Sequence, residues 1–405
     1  MIATDIHLRQ QARFHAVSRH FLQTPFYRQK LGVAPALGLE HLSELPFTTK
    51  DELRATPAAA RSPYPVSEVE YVFASSGTTG PPTEYYWTRE DTAVLRQVGG
   101  EAMRRVGVSA DDLVLVLAPL GMPVMWYCMV QQYNAAGAGI IMPGLLPPDT
   151  LLTYLIEYPI TVLITLPVIA GRLFEYAQHF RPEALRHIHL RQVHCGGDFL
   201  TQARRRRIEQ SWGVACYNFL GMSEILGPLA AETPAQDGLH LAWEHIHLEL
   251  IDPETRRPVP PGRPGVAVYT TLWPKGAPLL RYWSDDFVAL ARPDDHDAIR
   301  LRYLGRASDR LAAGDHDVFV SDVEECVLAY PVGDEWRLEL AADSAATLRV
   351  ESPPGAPLPA AELCAAVSRL IARPVTLATC PPGSLPRDEA KPNRIVRPTG
   401  AGEEP

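Results

Sequence analysis

Leu113-Val114-Leu115-Val116-Leu117 is an unbroken apolar run, and it reads as a strand buried on both faces. Gly139-Ile140-Ile141-Met142 and Val162-Leu163-Ile164-Thr165 repeat the pattern downstream, and the stretch 201–212 reads as a helix. From residue 110 to 220, short apolar runs alternate with amphipathic ones. That alternation predicts an α/β layered domain. On the amino-terminal side, Leu8, Ala12, Phe14, Val17 and Phe21 recur at helical spacing within residues 4–31, with a break at Pro25. Thr48-Thr49-Lys50-Asp51-Glu52-Leu53 then sets a threonine cap before an acidic first turn.

On the carboxy-terminal side the pattern changes. Residues 246–303 carry alternating runs joined by Pro/Gly turns, as antiparallel β structure requires. Gly305-Arg306-Ala307-Ser308-Asp309 opens a polar stretch that suits a domain junction. The rest holds a few strands, a helix at 360–373 and a tail bearing Pro, Lys and Arg. The expected fold class is therefore α/β with α+β features. A large layered domain with a β-rich subdomain spans residues 1–305, and a small α+β domain spans 306–405.

The 405 residues carry a net charge of −9, which argues against nucleic acid or an anionic membrane as partner. The run Arg204-Arg205-Arg206-Arg207 reads as one solvated helix face. No apolar stretch reaches the ~18 residues of a membrane span, and no signal-peptide core is seen at the amino terminus. The six cysteines are scattered, with no CxxC pair, so reduced thiols in a cytoplasmic protein are expected.

Chemistry concentrates in Ser75-Ser76-Gly77-Thr78-Thr79-Gly80-Pro81-Pro82-Thr83, directly after the apolar Val72-Phe73-Ala74. Glycines let backbone N–H groups approach an anion, and hydroxyls add short donors. In isolation the stretch reads as well as a surface turn, and it lacks the Gly-Lys-Ser/Thr ending of a P-loop.

Together with five other segments, this loop resembles the adenylate-forming ligase superfamily, in particular its phenylacetate–CoA ligase branch. The other segments are Thr24-Pro25-Phe26-Tyr27-Arg28 with Leu45–Leu53, Cys195-Gly196-Gly197-Asp198, Leu220-Gly221-Met222-Ser223-Glu224, Pro278–Asp286 with Gly305-Arg306, and Leu385-Pro386-Arg387-Asp388-Glu389-Ala390-Lys391. The resemblance implies that Ser75, Ser76, Gly77, Thr78, Thr79 and Gly80 cradle the phosphates of ATP. Gly196, Gly197 and Asp198 would lie beside the adenine, as would Phe219, Leu220, Gly221, Met222 and Ser223. Glu224 would hold Mg²⁺, Asp286 and Arg306 the ribose, and Lys391 would be the catalytic lysine. The acyl pocket would draw on Met125, Trp126, Tyr127, Phe199 and Met222, residues that equally suit a core.

The implied reaction activates a small carboxylic acid, aromatic or heteroaromatic, to an acyl-adenylate with release of pyrophosphate. The small domain is expected to be mobile, and the acyl group passes to CoA, to an amine or to a carrier-protein thiol. A homodimer is compatible with the resemblance. This chain departs from the family pattern at Pro81, Leu220, Ser308 and Asp315. Those departures keep two alternatives open: transfer to a non-CoA acceptor, and a retired module that binds nucleotide or acyl ligand. The branch's zinc is not expected, because Thr233 replaces its first cysteine and no cysteine lies between Cys216 and Cys326. His245 and His247 read as surface or cross-strand partners.

Overall fold

Val114 and Val116 point to one side of their strand, Leu115 and Leu117 to the other, and helices bury both sets. This is why the opening run is apolar without interruption. The computed structural model describes residues 2–32 (backbone alone at 2–4), 37–74, 82–118, 123–260, 262–291, 298–313, 316–341, 345–352, 355, 357–387 and 393–397. In it, Gly139–Ile141, Leu113–Val116, Val162–Thr165, Gln192–Gly196 and Ala215–Leu220 pair in parallel, in that spatial order. Helices Pro123–Ala136, Pro148–Glu157, Pro167–Phe180 and Gln202–Trp212 link these strands.

The same sheet continues antiparallel through Ala230–Ala231, Leu239–Leu241, Arg300–Arg306, Tyr282–Leu290, Gly265–Thr271 and Ile246–Ile251. The β-rich subdomain expected from residues 246–303 is thus an extension of the layered sheet. Helix Arg89–Arg105 lies so close to Pro123–Ala136 that a Cβ on Gly99 would stand 2.5 Å from Gln132 Cβ. Only glycine fits there.

The amino-terminal helices run Ile2–Gln23 and Pro25–Leu31, and the Thr24 hydroxyl at the break accepts from Tyr27 N at 3.1 Å. Phe14, Val17 and Phe21 are buried as the spacing predicts, but Leu8 is 57% exposed and leaves the stripe. Thr49 and Glu52 close the reciprocal cap of helix Lys50–Ala55.

After the turn Ala307–Asp309 the chain forms a hairpin, helices Val320–Leu328 and Ala360–Ile371, and a four-stranded sheet. Among the described residues no helix is long and apolar enough to cross a membrane. Cys195 and Cys216 are buried neighbours with free thiols, their sulfurs 3.6 Å apart.

The arginine run is not a solvated face. Arg204 and Glu324, each 2% exposed, form a two-point ion pair through Nε and Nη2, both at 2.9 Å, which joins helix Gln202–Trp212 to helix Val320–Leu328. Arg205 is buried against Glu232. Arg207 donates to the carbonyls of Leu328, Tyr330 and Val332. Only Arg206, paired with Glu325, is largely exposed. Phe199 and Ala203 complete the junction by packing in one apolar cluster with Val320, Val323 and Trp336. Charge composition alone suggested solvent because the acidic partners, Glu232 apart, come from more than 100 residues downstream.

Arg204→Met should lower stability by about 3–5 kcal/mol, because it leaves the Glu324 carboxylate buried without its cation. Arg206→Met should change it by less than about 1 kcal/mol, its pair being exposed. Denaturant titration of the two variants checks the contrast, and similar losses would contradict the assignment.

Candidate active site

The parallel strands end together at a cleft. At the end of Gln192–Gly196 the backbone turns at Gly197, whose φ of +82° is the left-handed region that favours glycine. Asp198 Oδ1 there accepts from Phe199 N at 2.9 Å. The next strand ends at Phe219 and Leu220 and runs into a tight loop, in which Met222 N donates to Leu226 O at 3.1 Å and Ile225 N to Met222 O at 3.0 Å. A Cβ on Gly221 would stand 3.0 Å from Gly227 Cα, so the loop is pinched shut at its base. Lys275, fully buried, donates to Ile225 O at 3.0 Å and lies over the Trp87 ring. Burial presses its pKa down, and Asp91, 3.7 Å away, opposes that shift.

This loop presents Glu224, a carboxylate only 6% exposed. Lys50 Nζ, from the capped helix, approaches Glu224 Oε1 to 3.6 Å. Asp286 and Arg306 face each other across adjacent antiparallel strands, Nε to Oδ1 at 3.7 Å. Tyr303 donates to Asp286 Oδ1 at 3.1 Å. Burial works against the Arg306 charge, but Asp286, then Tyr303 and Glu224, hold its pKa above the ordinary value. The buried Tyr282 feels Glu224, Tyr85 and Asp286 together, and burial first, then these carboxylates, raise its pKa. Glu224, Asp286 and Arg306, far apart in sequence, therefore share one electrostatic site.

Beside them is a cavity of about 90 Å³ lined by Met125, Gly196, Gly197, Phe219, Gly221, Met222 and Ser223, with Gln132 on its helical wall. Tyr127 lies elsewhere, in an aromatic group with Tyr71, Phe73 and Trp87, its hydroxyl 2.8 Å from that of Thr92. Trp126 packs at the edge of the sheet's inner cluster, and Phe199 in the junction core. A second cleft, of about 70 Å³, joins Asp198, Phe199, Tyr303 and Arg306 to Asn393, Arg394 and Ile395 of the tail. Residues 75–81, Asp315 and Lys391 lie outside the described residues. The strands flanking the loop, Val69–Ala74 and Glu84–Thr88, pair antiparallel with Ala74 opposite Glu84.

Sequence reasoning missed Lys50, Tyr303, Lys275 and Gln132. Lys50 lies inside a segment read as a helix cap, and its role depends on a partner 174 positions away. Tyr303 could have been found, since it is three residues before Arg306 and within the 246–303 stretch expected to form antiparallel β structure.

Among the described residues, no group of three or more His, Cys, Asp or Glu side chains could hold a metal. Mg²⁺ accompanying a nucleotide needs only one or two carboxylates beside phosphates and water, so the single buried Glu224 carboxylate fits it. Around the segment where the branch's zinc would lie, His240 Nε2 contacts Asp237 Oδ1 at 3.0 Å and Arg300 Nε at 3.3 Å. His245 is buried, and His247, half-buried, stands opposite Thr270 on the neighbouring strand, so of the two expected roles it takes the cross-strand one. Burial lowers both to about 4, and His247 Nδ1 lies 2.9 Å from Gln10 Oε1 of the first helix.

The family model described as AMP-binding enzyme matches residues 27–271. The phenylacetate–coenzyme A ligase of Pseudomonas putida is 30% identical over 316 residues, 75% of this chain and 71% of that protein. That of Thermus thermophilus is 29% identical over 337 residues, 80% of this chain and 75% of its own length. Among solved structures, 2-hydroxyisobutyryl-CoA ligase in its postadenylation state with 2-HIB-AMP superimposes with a TM-score of 0.84 at 22% identity, covering 96% of this chain and 88% of that one. The same enzyme with 2-HIB-AMP and CoA in the thioesterification state gives 0.67 at 23% identity, with the same coverage.

Below the cavity, His194 links the strand to the helix wall. Gln192 Nε2 donates to Val106 O at 2.6 Å, so Gln192 Oε1, 2.9 Å from His194 Nε2, accepts from it. His194 Nδ1 then accepts from the Tyr133 hydroxyl at 2.7 Å, which uses the neutral ring completely. Burial depresses its pKa from 6.5 to about 3. The unfolded chain therefore binds a proton below pH 6.5 that the folded one refuses. Stability from this group is fully present above pH 6.5 and falls with acidification by about 1.4 kcal/mol per pH unit toward pH 4. Urea midpoints across that range should show the slope. His194→Gln should flatten it by one proton's worth whatever its absolute stability, and an unchanged slope would contradict the neutral assignment.

Proposed function

We infer that this chain, which belongs to the AMP-binding enzyme family, is an AMP-forming acid ligase that converts a carboxylic acid and ATP to an acyl-adenylate and pyrophosphate. The acyl group then passes to an acceptor thiol such as CoA. One observation carries the reading: Glu224, Asp286 and Arg306 share one electrostatic site beside an apolar cavity, at strand ends that the tail also reaches.

In this reading the acid lies in the cavity with its carboxylate toward Glu224. One carboxylate oxygen attacks the α-phosphorus as the bond to pyrophosphate breaks. Asp286 accepts from the ribose hydroxyls, and Arg306 steadies Asp286 and the sugar. Glu224 would hold Mg²⁺, which supplies charge neutralisation to the phosphates when bound. The loop at 75–80 receives the pyrophosphate, and Lys391 places a positive charge where the phosphoryl and carboxylate oxygens gain charge. The protein's contribution is position and field, so no covalent enzyme intermediate is needed.

A second reading, transfer to an amine or another non-CoA acceptor, is favoured by the junction. The buried Arg204–Glu324 pair and the shared apolar cluster hold the two parts in an arrangement close to a postadenylation state. An acceptor that reaches the adenylate without rearrangement avoids breaking that contact.

ATP–pyrophosphate exchange with a panel of acids, and no CoA present, tests the ligase reading. Exchange should depend on the acid and fall about 10²–10³-fold in Lys391→Ala. Asp286→Ala should raise the KM for ATP by about 10–100-fold, the loss of charge-assisted bonds to the sugar. Mg·ATP binding without exchange for any acid would instead favour the retired module. Product formation with CoA against a set of amines then separates the two acceptor readings.

A further inference from the structure

The tail that carries Lys391 is tied down on both sides of it. Arg387 lies four residues before the lysine and Arg394 three residues after it. Both reach one carboxylate, that of Glu335, which is 1% exposed. Arg394 Nη1 donates to Glu335 Oε2 at 2.9 Å, and Arg387 Nη1 stands 3.4 Å from Oε1. Arg387 Nη2 also donates to Glu351 Oε2 at 2.9 Å, and Glu351 Oε1 accepts from Leu385 N at the same distance. The backbone is fixed again at Arg394, whose carbonyl accepts from Leu338 N at 2.8 Å.

The third cation on Glu335 does not come from the tail. Arg172, on helix Pro167–Phe180 of the layered domain, donates through Nε to Glu335 Oε1 at 2.6 Å. The neighbouring glycine makes this approach possible. A Cβ on Gly171 would stand 2.0 Å from Asp334 Oδ2, and Arg207 holds that carboxylate through Oδ1 at 3.1 Å. Burial alone would raise the pKa of Glu335, but Arg394, then Arg172, outweigh it and hold it below the ordinary value. Oε1 faces both Arg172 and Arg387, so the contact across the junction and the hold on the tail meet at one atom. We propose that Arg172 is a positioning residue for adenylate formation: acting through Glu335 on Arg387 and Arg394, it sets the tail for Lys391 while the carboxy-terminal part is docked on helix Pro167–Phe180. The proposal rests on the acid-ligase reading, in which Lys391 is catalytic, and deepens it.

The test is acid-dependent ATP–pyrophosphate exchange by the full chain. The kcat is taken per ATP-binding site, counted by calorimetric titration with Mg·ATP, so unfolded protein does not register. Arg172→Gln should lower kcat about 10–100-fold, the range for a catalytic group displaced from a distance. The KM for ATP should stay within about twofold, because a group that does not touch the nucleotide adds no uniform binding. Arg172→Lys, which keeps the cation, should recover most of the loss. Arg206→Met removes the exposed pair of the same junction without touching the tail, and should stay within about twofold of wild type. In a Lys391→Ala background Arg172→Gln should cost less than about twofold more, since residues that act as a unit are not additive. Arg387→Gln, 32% exposed and on the tail side, should repeat the pattern, and it decides the matter if Arg172→Gln does not fold. An equal fold-loss in both backgrounds marks a merely structural role and overturns the proposal. So does an Arg172→Gln variant that exchanges as fast as wild type. Wild type that exchanges with no acid, or Lys391→Ala that exchanges as well as wild type, sinks the ligase reading and the proposal with it.

Discussion

A sheet covered by helices on both faces can offer polar chemistry only at the ends of its strands. In this chain the constraint is strict. Val114, Leu115, Val116, Val162, Leu163 and Val193 are inaccessible to solvent, so nothing along the parallel strands can meet a ligand. The backbone must break where the strands stop, and it does so at Gly197 and at the pinched loop 221–227. Both turns deliver their residues to the same edge. The antiparallel extension then brings Asp286 and Arg306 to that edge from the other half of the sheet, through a cross-strand register that leaves them opposite each other.

The junction with the carboxy-terminal part obeys a different rule. An isolated buried charge is far more costly than a buried pair, so Arg204 and Glu324 are tolerable only together. The pair gains little over a well-packed apolar contact, but it is demanding in geometry: Thr201 and Trp336 also donate to Glu324, and Arg204 reaches the Asp334 carbonyl. Such a contact fixes orientation more than it adds stability. It sets one arrangement of the two parts sharply, and it makes any other arrangement depend on rehydrating both ions.

Much of this was legible in sequence because the signals are local. Apolar runs give buried strands, Thr49 with Glu52 gives a cap, and Pro25 gives a break, each from a handful of neighbouring residues. The site was legible in its loops for the same reason, since glycine and carboxylate positions are read from short segments. Contacts that span the chain were not. The arginine helix read as solvated because its acids, Glu232 apart, lie beyond residue 320. Lys50 read as part of a cap because Glu224 is invisible from there. His245 and His247 read as surface or cross-strand partners, and the cover that Gln10 of the first helix gives His247 was not legible because that helix contributes nothing to the local pattern.

The carboxylates of the site are framed by phenols rather than by cations. Tyr85, Tyr282 and Tyr303 surround Glu224 and Asp286, and burial raises the pKa of all three, so each stays neutral at any physiological pH. A neutral phenol can donate to a carboxylate, as Tyr303 does to Asp286, without cancelling its charge. Lys50 stands 3.6 Å from Glu224 and Arg306 Nε 3.7 Å from Asp286, both beyond ordinary hydrogen-bond distance. Neutral phenols and long ion-pair contacts thus position the two carboxylates. That is the electrostatic state a site needs if one carboxylate is to receive a divalent cation and the other a pair of sugar hydroxyls.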